Sequence, residues 1–250
     1  MINKQYRLSE EEADIIQKHR DNTTRNILVV GDLHAPFIKK GYLEHCIEVY
    51  NKYSCNQVVM IGDLIDNHYS SYHESDPDGF SAGEELDRAI YHLQPWYKAF
   101  NNQTVPGGVD VCIGNHDAIV CRKTMSSGVS NRWLRDYDEV LGTPDWTFDD
   151  HFIYDDVYYT HGTGSSGLKA AYNRMVNWGM SVVQGHLHTE SSIMWKVDKD
   201  RRCFAVQTGV GVSDKAYAMA YAKNFTKKYI ISCAVILENG QIPVILPQKL

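Results

Sequence analysis

Apolar positions fall in short runs that stop abruptly at glycine. Ile27-Leu28-Val29-Val30 ends at Gly31, Val58-Val59-Met60-Ile61 at Gly62, and Val109-Asp110-Val111-Cys112-Ile113 at Gly114. Such runs read as buried strands. Between the first two, residues 40–53 place Leu43, Ile47 and Tyr50 on one helical face. This is a β-α-β unit, with parallel strands and a right-handed crossover. Ahead of it, Ser9 and Glu12 form a capping box for a short helix over residues 9–20.

Residues 67–108 form a long insertion between the second and third strands. Its polar and aromatic start, Asn67 to His73, and the Asp76-Pro77-Asp78-Gly79 turn precede a helix through Leu86, Ile90 and Leu93 that is interrupted near Pro95. A further helix is predicted over 130–141, through Trp133, Leu134, Tyr137 and Leu141. Strands are then expected at 152–160, 180–184, 202–208, 230–237 and 241–246, with one helix at about 167–178. Asn239-Gly240 marks a hairpin between the last two strands. No repeat, low-complexity tract or linker divides the chain. The expectation is one domain over 1–250, with 1–25 as a helical extension and 67–108 placed to cap a site.

Composition adds exclusions. The chain of 250 residues is 43% hydrophobic and 22% charged, as a globular protein is and a disordered chain is not. No apolar run approaches the roughly 20 residues of a membrane span, and the start lacks a signal-peptide core. A cytoplasmic location without membrane partners is the default expectation. The six cysteines form no C-x-x-C pair and read as packed free thiols. A net charge of −6 argues against a general polyanion-binding surface. Lys199, Arg201, Arg202, Lys215, Lys223, Lys227 and Lys228 run against that average. They read as solvated charge or as a basic rim facing substrate.

The chemistry sits where the runs end. Gly31-Asp32-Leu33-His34, Gly62-Asp63-Leu64-Ile65-Asp66, Gly114-Asn115-His116-Asp117, His161-Gly162 and Gly185-His186-Leu187-His188 occur in that order. Glycine lets the chain turn without a Cβ clash, so Asp32, Asp63 and Asn115 emerge at neighbouring strand ends, and His161, His186 and His188 reach the same edge. Carboxylates, an amide and imidazoles can hold two divalent ions about 3.5–4 Å apart and activate water against a phosphate ester. The mixture suits manganese, iron or zinc better than magnesium alone.

This ordered set resembles the calcineurin-like metallophosphoesterase superfamily, whose pattern is D-x-H, G-D-x-x-D, G-N-H-[DE], a later His and G-H-x-H. The resemblance spans Asp32 to His188. It implies an α/β fold, a four-layer α-β-β-α sandwich of two mixed sheets flanked by helices. It further implies that Asp32, His34 and His188 hold one metal and Asn115, His161 and His186 the other. Asp63 would bridge the two, with a bridging hydroxide as attacking group. His116 would be the general acid, with Asp66 accepting from its far nitrogen. The implied cofactors are two divalent ions, Mn²⁺ first, with Fe, Zn, Ni or Mg as alternatives.

Serine/threonine protein phosphatases of the superfamily carry Arg after the second motif and Glu at the end of the third. Here these positions are Asn67 and Asp117, closer to the phosphodiesterase and nuclease branches. Asn67, His68, His73, Arg122 and Lys123 are candidate substrate contacts. The expected partner is therefore a phosphodiester substrate, nucleic acid or nucleotide. A phosphomonoesterase and a non-catalytic binding scaffold on the same fold are the alternatives. The compact form also resembles small phosphoesterases encoded by bacteriophages.

Overall fold

A computed structural model describes residues 24–71, 79–213 and 229–249. The helix expected at 9–20, His73, and the lysines from Lys215 to Lys228 lie outside the described residues.

Three strand ladders form as the apolar runs dictate. β1 (Ile27–Val30), β2 (Gln57–Met60) and β3 (Val109–Cys112) pair in parallel, and β4 (Trp146–Asp149) extends them. β10 (Ser232–Leu237) and β11 (Ile242–Pro247) close the other edge as an antiparallel hairpin through Asn239-Gly240. The order is β11-β10-β1-β2-β3-β4. The second sheet has the order β5-β6-β7-β9-β8, from β5 (His151–Tyr154), β6 (Val157–Thr160), β7 (Ser181–Gln184), β8 (Ser192–Val197) and β9 (Arg202–Gln207). Both sheets are mixed.

The central strands of the first sheet, β1, β2 and β3, are buried on both faces, which is why they read as apolar runs. Leu28, Val30, Val58, Met60, Val109 and Val111 point to one core, shared with α1 (Tyr42–Lys52) and α2 (Ala82–Ala99) through Tyr42, Cys46, Leu93 and Trp96. Ile27, Val29, Val59 and Ile61 point the other way, against Val157, Tyr159, Val183 and Val206 of the second sheet. The outer face of that sheet packs Tyr158, Val182 and Ala205 on α5 (Ala170–Trp178) through Ala171 and Met175. The layers are helix, sheet, sheet, helix, the sandwich that the resemblance implies. All six cysteines are free, and four are buried. No helix among the described residues is long and apolar enough to cross a membrane.

Several local expectations are corrected. The stretch 152–160 is two antiparallel strands, because Asp155 and Asp156 take φ of 51° and 60° and turn the chain between them. α2 runs through Pro95 without interruption, started by a Ser81–Glu84 capping box. The carbonyl that Pro95 leaves unbonded is that of Tyr91, on the solvent face, where water can serve it. The helix expected at 130–141 is a 3₁₀ turn, Asn131–Trp133, followed by the short α4 (Tyr137–Leu141). Trp133 is 83% exposed, so the apolar face drawn through it does not exist. α3 (Ile119–Ser126), β4 and β8 are elements the pattern did not announce. The later part of the 67–108 insertion is core: Leu93, Trp96 and Phe100 are fully buried under the first sheet.

Candidate metal centre

Strands from both sheets end at one edge. Asp32 follows β1, Asp63 follows β2, Asn115 and His116 follow β3, His161 follows β6, and His186 and His188 follow β7. The loops are tied together: Leu33 and His34 N–H both donate to the Asp63 carbonyl at 3.1 and 2.9 Å, and Gly185 N–H donates to the His161 carbonyl at 3.0 Å. These bonds hold His34, Asp63 and His186 at φ of 47°, 47° and 73°. Left-handed backbone at non-glycine residues costs on the order of 1–3 kcal/mol each and concentrates at functional sites. Two glycines are required by close approach. A Cβ on Gly114 would overlap the Asp63 carboxylate, and one on Gly185 would overlap that of Asp32.

The seven candidate ligands form two groups. In the first, His34 Nε2 lies 3.2 Å from His188 Nε2, and His188 Nε2 lies 3.5 Å from Asp32 Oδ2. In the second, His161 Nε2 lies 3.0 Å from Asn115 Oδ1 and 3.2 Å from His186 Nδ1. Asp63 stands between them. Its Oδ2 is 3.0 Å from His161 Nε2 and 3.7 Å from His34 Nε2, while its Oδ1 accepts from the His116 backbone N–H at 2.8 Å. Asp32, His34, Asp63 and His161 are buried, whereas Asn115, His186 and His188 are partly open.

The donor set fits divalent ions. His161 Nδ1 donates to the Ile61 carbonyl at 3.1 Å and His34 Nδ1 to Asp66 Oδ1 at 2.6 Å. Each ring therefore turns an unprotonated Nε2 inward when neutral. Ring lone pairs facing one another at 3.2 Å repel unless a proton or a cation sits between them. The pull toward positive charge is visible in the protonation equilibria. Burial pulls His161 down, but Asp63 and Asp32 outweigh it and hold the imidazole up at about 9. Burial would raise Asp63, yet His161, His116 and His34 bring it well below the carboxylate range. Burial lowers His34 against its bond to Asp66, and burial and His161 together lower His186.

His116 sits beside the first group, its ring 4.7 Å from that of His34. The expected contact with the Asp66 carboxylate is corrected. His116 Nδ1 donates instead to the Asp66 backbone carbonyl at 2.6 Å, and the carboxylate, 3.8 Å away, is spent on His34. Burial pulls His116 down, but Asp63 and Asp66 overcome it and raise the imidazole above its ordinary value.

The flanking positions have partners within the protein. Asn67 donates from Nδ2 to the His116 carbonyl at 3.0 Å, so it braces that loop. His68 is buried, and its N–H and that of Tyr69 are both held by the Glu85 carboxylate. Lys123 donates to the Ser71 carbonyl at 3.2 Å. Asp117 is buried and accepts from Ile65 and Gly114 N–H groups, a clamp between two motifs. Burial and Asp63 push its carboxyl up to about 6. Arg122 lines a cavity beside Asn115 and His161. Arg201 and Arg202 lie at the start of β9, the edge of the sheet opposite the candidate ligands, so they make no rim there. Arg174, on α5 beside the same cavity as Arg122, carried no sequence signal.

The profile of the calcineurin-like phosphoesterases matches residues 25–231, and the chain belongs to that family, a family of metal-dependent hydrolases. No curated protein matches it by sequence. Similar solved structures include an archaeal phosphodiesterase, 13% identical over 89% of this chain and 99% of that one, with a TM-score of 0.43. Vacuolar protein sorting 29 from Cryptosporidium parvum is 13% identical over 91% and 92%, with a TM-score of 0.47. The Pseudomonas putida nuclease MPE is 11% identical over 87% and 86%, with a TM-score of 0.41.

Proposed function

We propose that this protein is a dinuclear metal-dependent phosphodiesterase. The observation that carries the reading is the position of Asp63 Oδ2 between two complete donor groups, with His116 beside them. Asp32, His34 and His188 would hold one ion, Asn115, His161 and His186 the other, and Asp63 both. Two bound divalent ions supply charge neutralisation of the phosphate oxygens and a water acidic enough to attack near neutral pH.

The chain's own residues supply the rest. Asp66 and the Ile61 carbonyl orient His34 and His161 so that Nε2 faces inward. His116 Nδ1–H is committed to the Asp66 carbonyl, so only the protonated ring can donate from Nε2. That proton passes to the departing ester oxygen, a step worth about 100- to 10,000-fold. An alkoxide leaving a diester needs this proton. Asn67 holds the carbonyl of His116 where protein phosphatases of the superfamily place an arginine, which favours diesters over phosphoproteins.

The test is a matrix of Mn²⁺, Mg²⁺, Ni²⁺ and Zn²⁺ against bis-p-nitrophenyl phosphate, p-nitrophenyl phosphate, single- and double-stranded DNA, RNA and cyclic nucleotides. Mn²⁺-stimulated turnover of the diester above the monoester is expected. A monoester preference of orders of magnitude would overturn the diesterase assignment, and no metal-stimulated turnover of any substrate would point to a binding scaffold.

A further inference from the structure

We infer that the cavity flanking Asn115 and His161 is an anion subsite for a second phosphate of a nucleotide chain, next to the ester being cleaved, and that Arg174 is its principal contact. This rests on the phosphodiesterase reading and names the substrate class it serves. The cavity holds about 390 Å³ and is lined by Arg122 of α3 and Arg174 of α5 together with Asn115, His161 and Thr163. Two candidate ligands thus form one wall, and an anion there lies directly beside the metal centre. One carboxylate, Asp150, lines the same space, and the two guanidiniums outnumber it.

Arg174 is held in place for this role. Its Nη2 donates to the Thr163 carbonyl at 3.2 Å and to Ser165 Oγ at 2.7 Å, fixing the loop that follows His161. Its Nε is buried and has no hydrogen-bond partner among the described residues. A buried donor on a charged group is costly to leave unpaired, and a guanidinium anchored through Nη2 has little entropy to lose when its remaining N–H groups close on an oxyanion. The same side chain lines a second cavity of about 380 Å³ with Asn173, Asn177 and Trp178. Trp178 stacks on Tyr158 at 4.5 Å and is still 54% exposed. A base can stack on the open part of that indole. Phosphate contact and aromatic platform are the two parts of a sequence-tolerant nucleotide subsite.

The experiment compares kcat/KM of the Mn²⁺-loaded protein for TpT, pTpT and TpTp, with bis-p-nitrophenyl phosphate as a reference lacking any second phosphate. One of the phosphorylated dinucleotides should exceed TpT by about tenfold or more, the worth of one charge-assisted hydrogen bond. That ratio should fall to near one in Arg174→Ala and recover in part in Arg174→Lys. Calorimetry with thymidine 3′,5′-bisphosphate gives a readout independent of turnover: its Kd should weaken about tenfold in Arg174→Ala relative to that of thymidine monophosphate. A ratio that survives in Arg174→Ala overturns the subsite. So does a parallel loss on all substrates, which is what a merely disordered loop would produce. Failure of the wild type to cleave bis-p-nitrophenyl phosphate overturns the phosphodiesterase reading instead, and the bisphosphate Kd then judges the subsite alone.

Discussion

The two donor groups look alike, two imidazoles and one Asp or Asn oxygen each, and are unequal in charge and in support. Asp32, His34 and His188 bring a carboxylate of their own, and His34 is backed by the Asp66 carboxylate at 2.6 Å. Asn115, His161 and His186 are neutral donors, and His161 is backed by a backbone carbonyl at 3.1 Å. Asp63 offsets part of the difference by lying nearer to His161. A carboxylate behind an imidazole makes the ring a stronger ligand than a carbonyl does. On the proposed ligand assignment, the expected centre is graded, with the tighter position on the Asp32 side and the more exchangeable one on the Asn115 side.

The largest perturbation removes the feature the groups share. Asp63→Asn should empty both positions and lower diester hydrolysis by roughly 10³-fold or more, since the ions account for several kcal/mol of the barrier. Metal analysis showing one position still full would refute the bridge. His116→Ala leaves both groups in place; hydrolysis should fall about 100- to 10,000-fold with metal content retained, and unchanged turnover would remove the general acid.

Finer changes address the asymmetry itself. Asp66→Asn keeps a hydrogen-bonding group behind His34 but removes its charge. Affinity of the tighter position should drop about 10- to 100-fold, bringing the two positions together in a Mn²⁺ titration. Asn115→Ala should lose one ion and keep the other. The smallest effect is in the unaltered protein: stepwise chelation with EDTA should release the ions in two phases, separated by about tenfold in chelator concentration. A single phase would mean that the difference in support does not reach the metals.

How far these residues were legible depended on chain distance. Each candidate ligand adjoins a strand end, and an apolar run stopping at Gly31, Gly62 or Gly114 announces that place locally. The buried strands were legible for the same reason, since burial on both faces leaves few polar residues, Gln57 and Asp110 among them, to blur the run. Strands β4 and β8 were not, because their mixed exposure erases both the continuous run and the clean alternation. The Asp155-Asp156 turn was hidden because aspartate adopts positive φ without the glycine that usually marks it.

Roles set by partners far along the chain were beyond reach in the same way. Asp66 lies 32 positions from His34 and 50 from His116, and the residues alone do not say which of the two its carboxylate meets. Asp117 marks the branch of the superfamily in the sequence, but that its two oxygens accept from Ile65 and Gly114 N–H is not written there. Arg174 bears no motif; only the packing of α5 on the second sheet brings it to the cavity beside His161. The order and chemistry of the candidate ligands were thus determined by sequence, because a strand, its terminal glycine and the next residue are covalent neighbours. Which carboxylate backs which imidazole, and where a cation meets the centre, was decided by tertiary structure, because those contacts exist only once β1, β2 and β3 have paired and the two sheets are packed face to face.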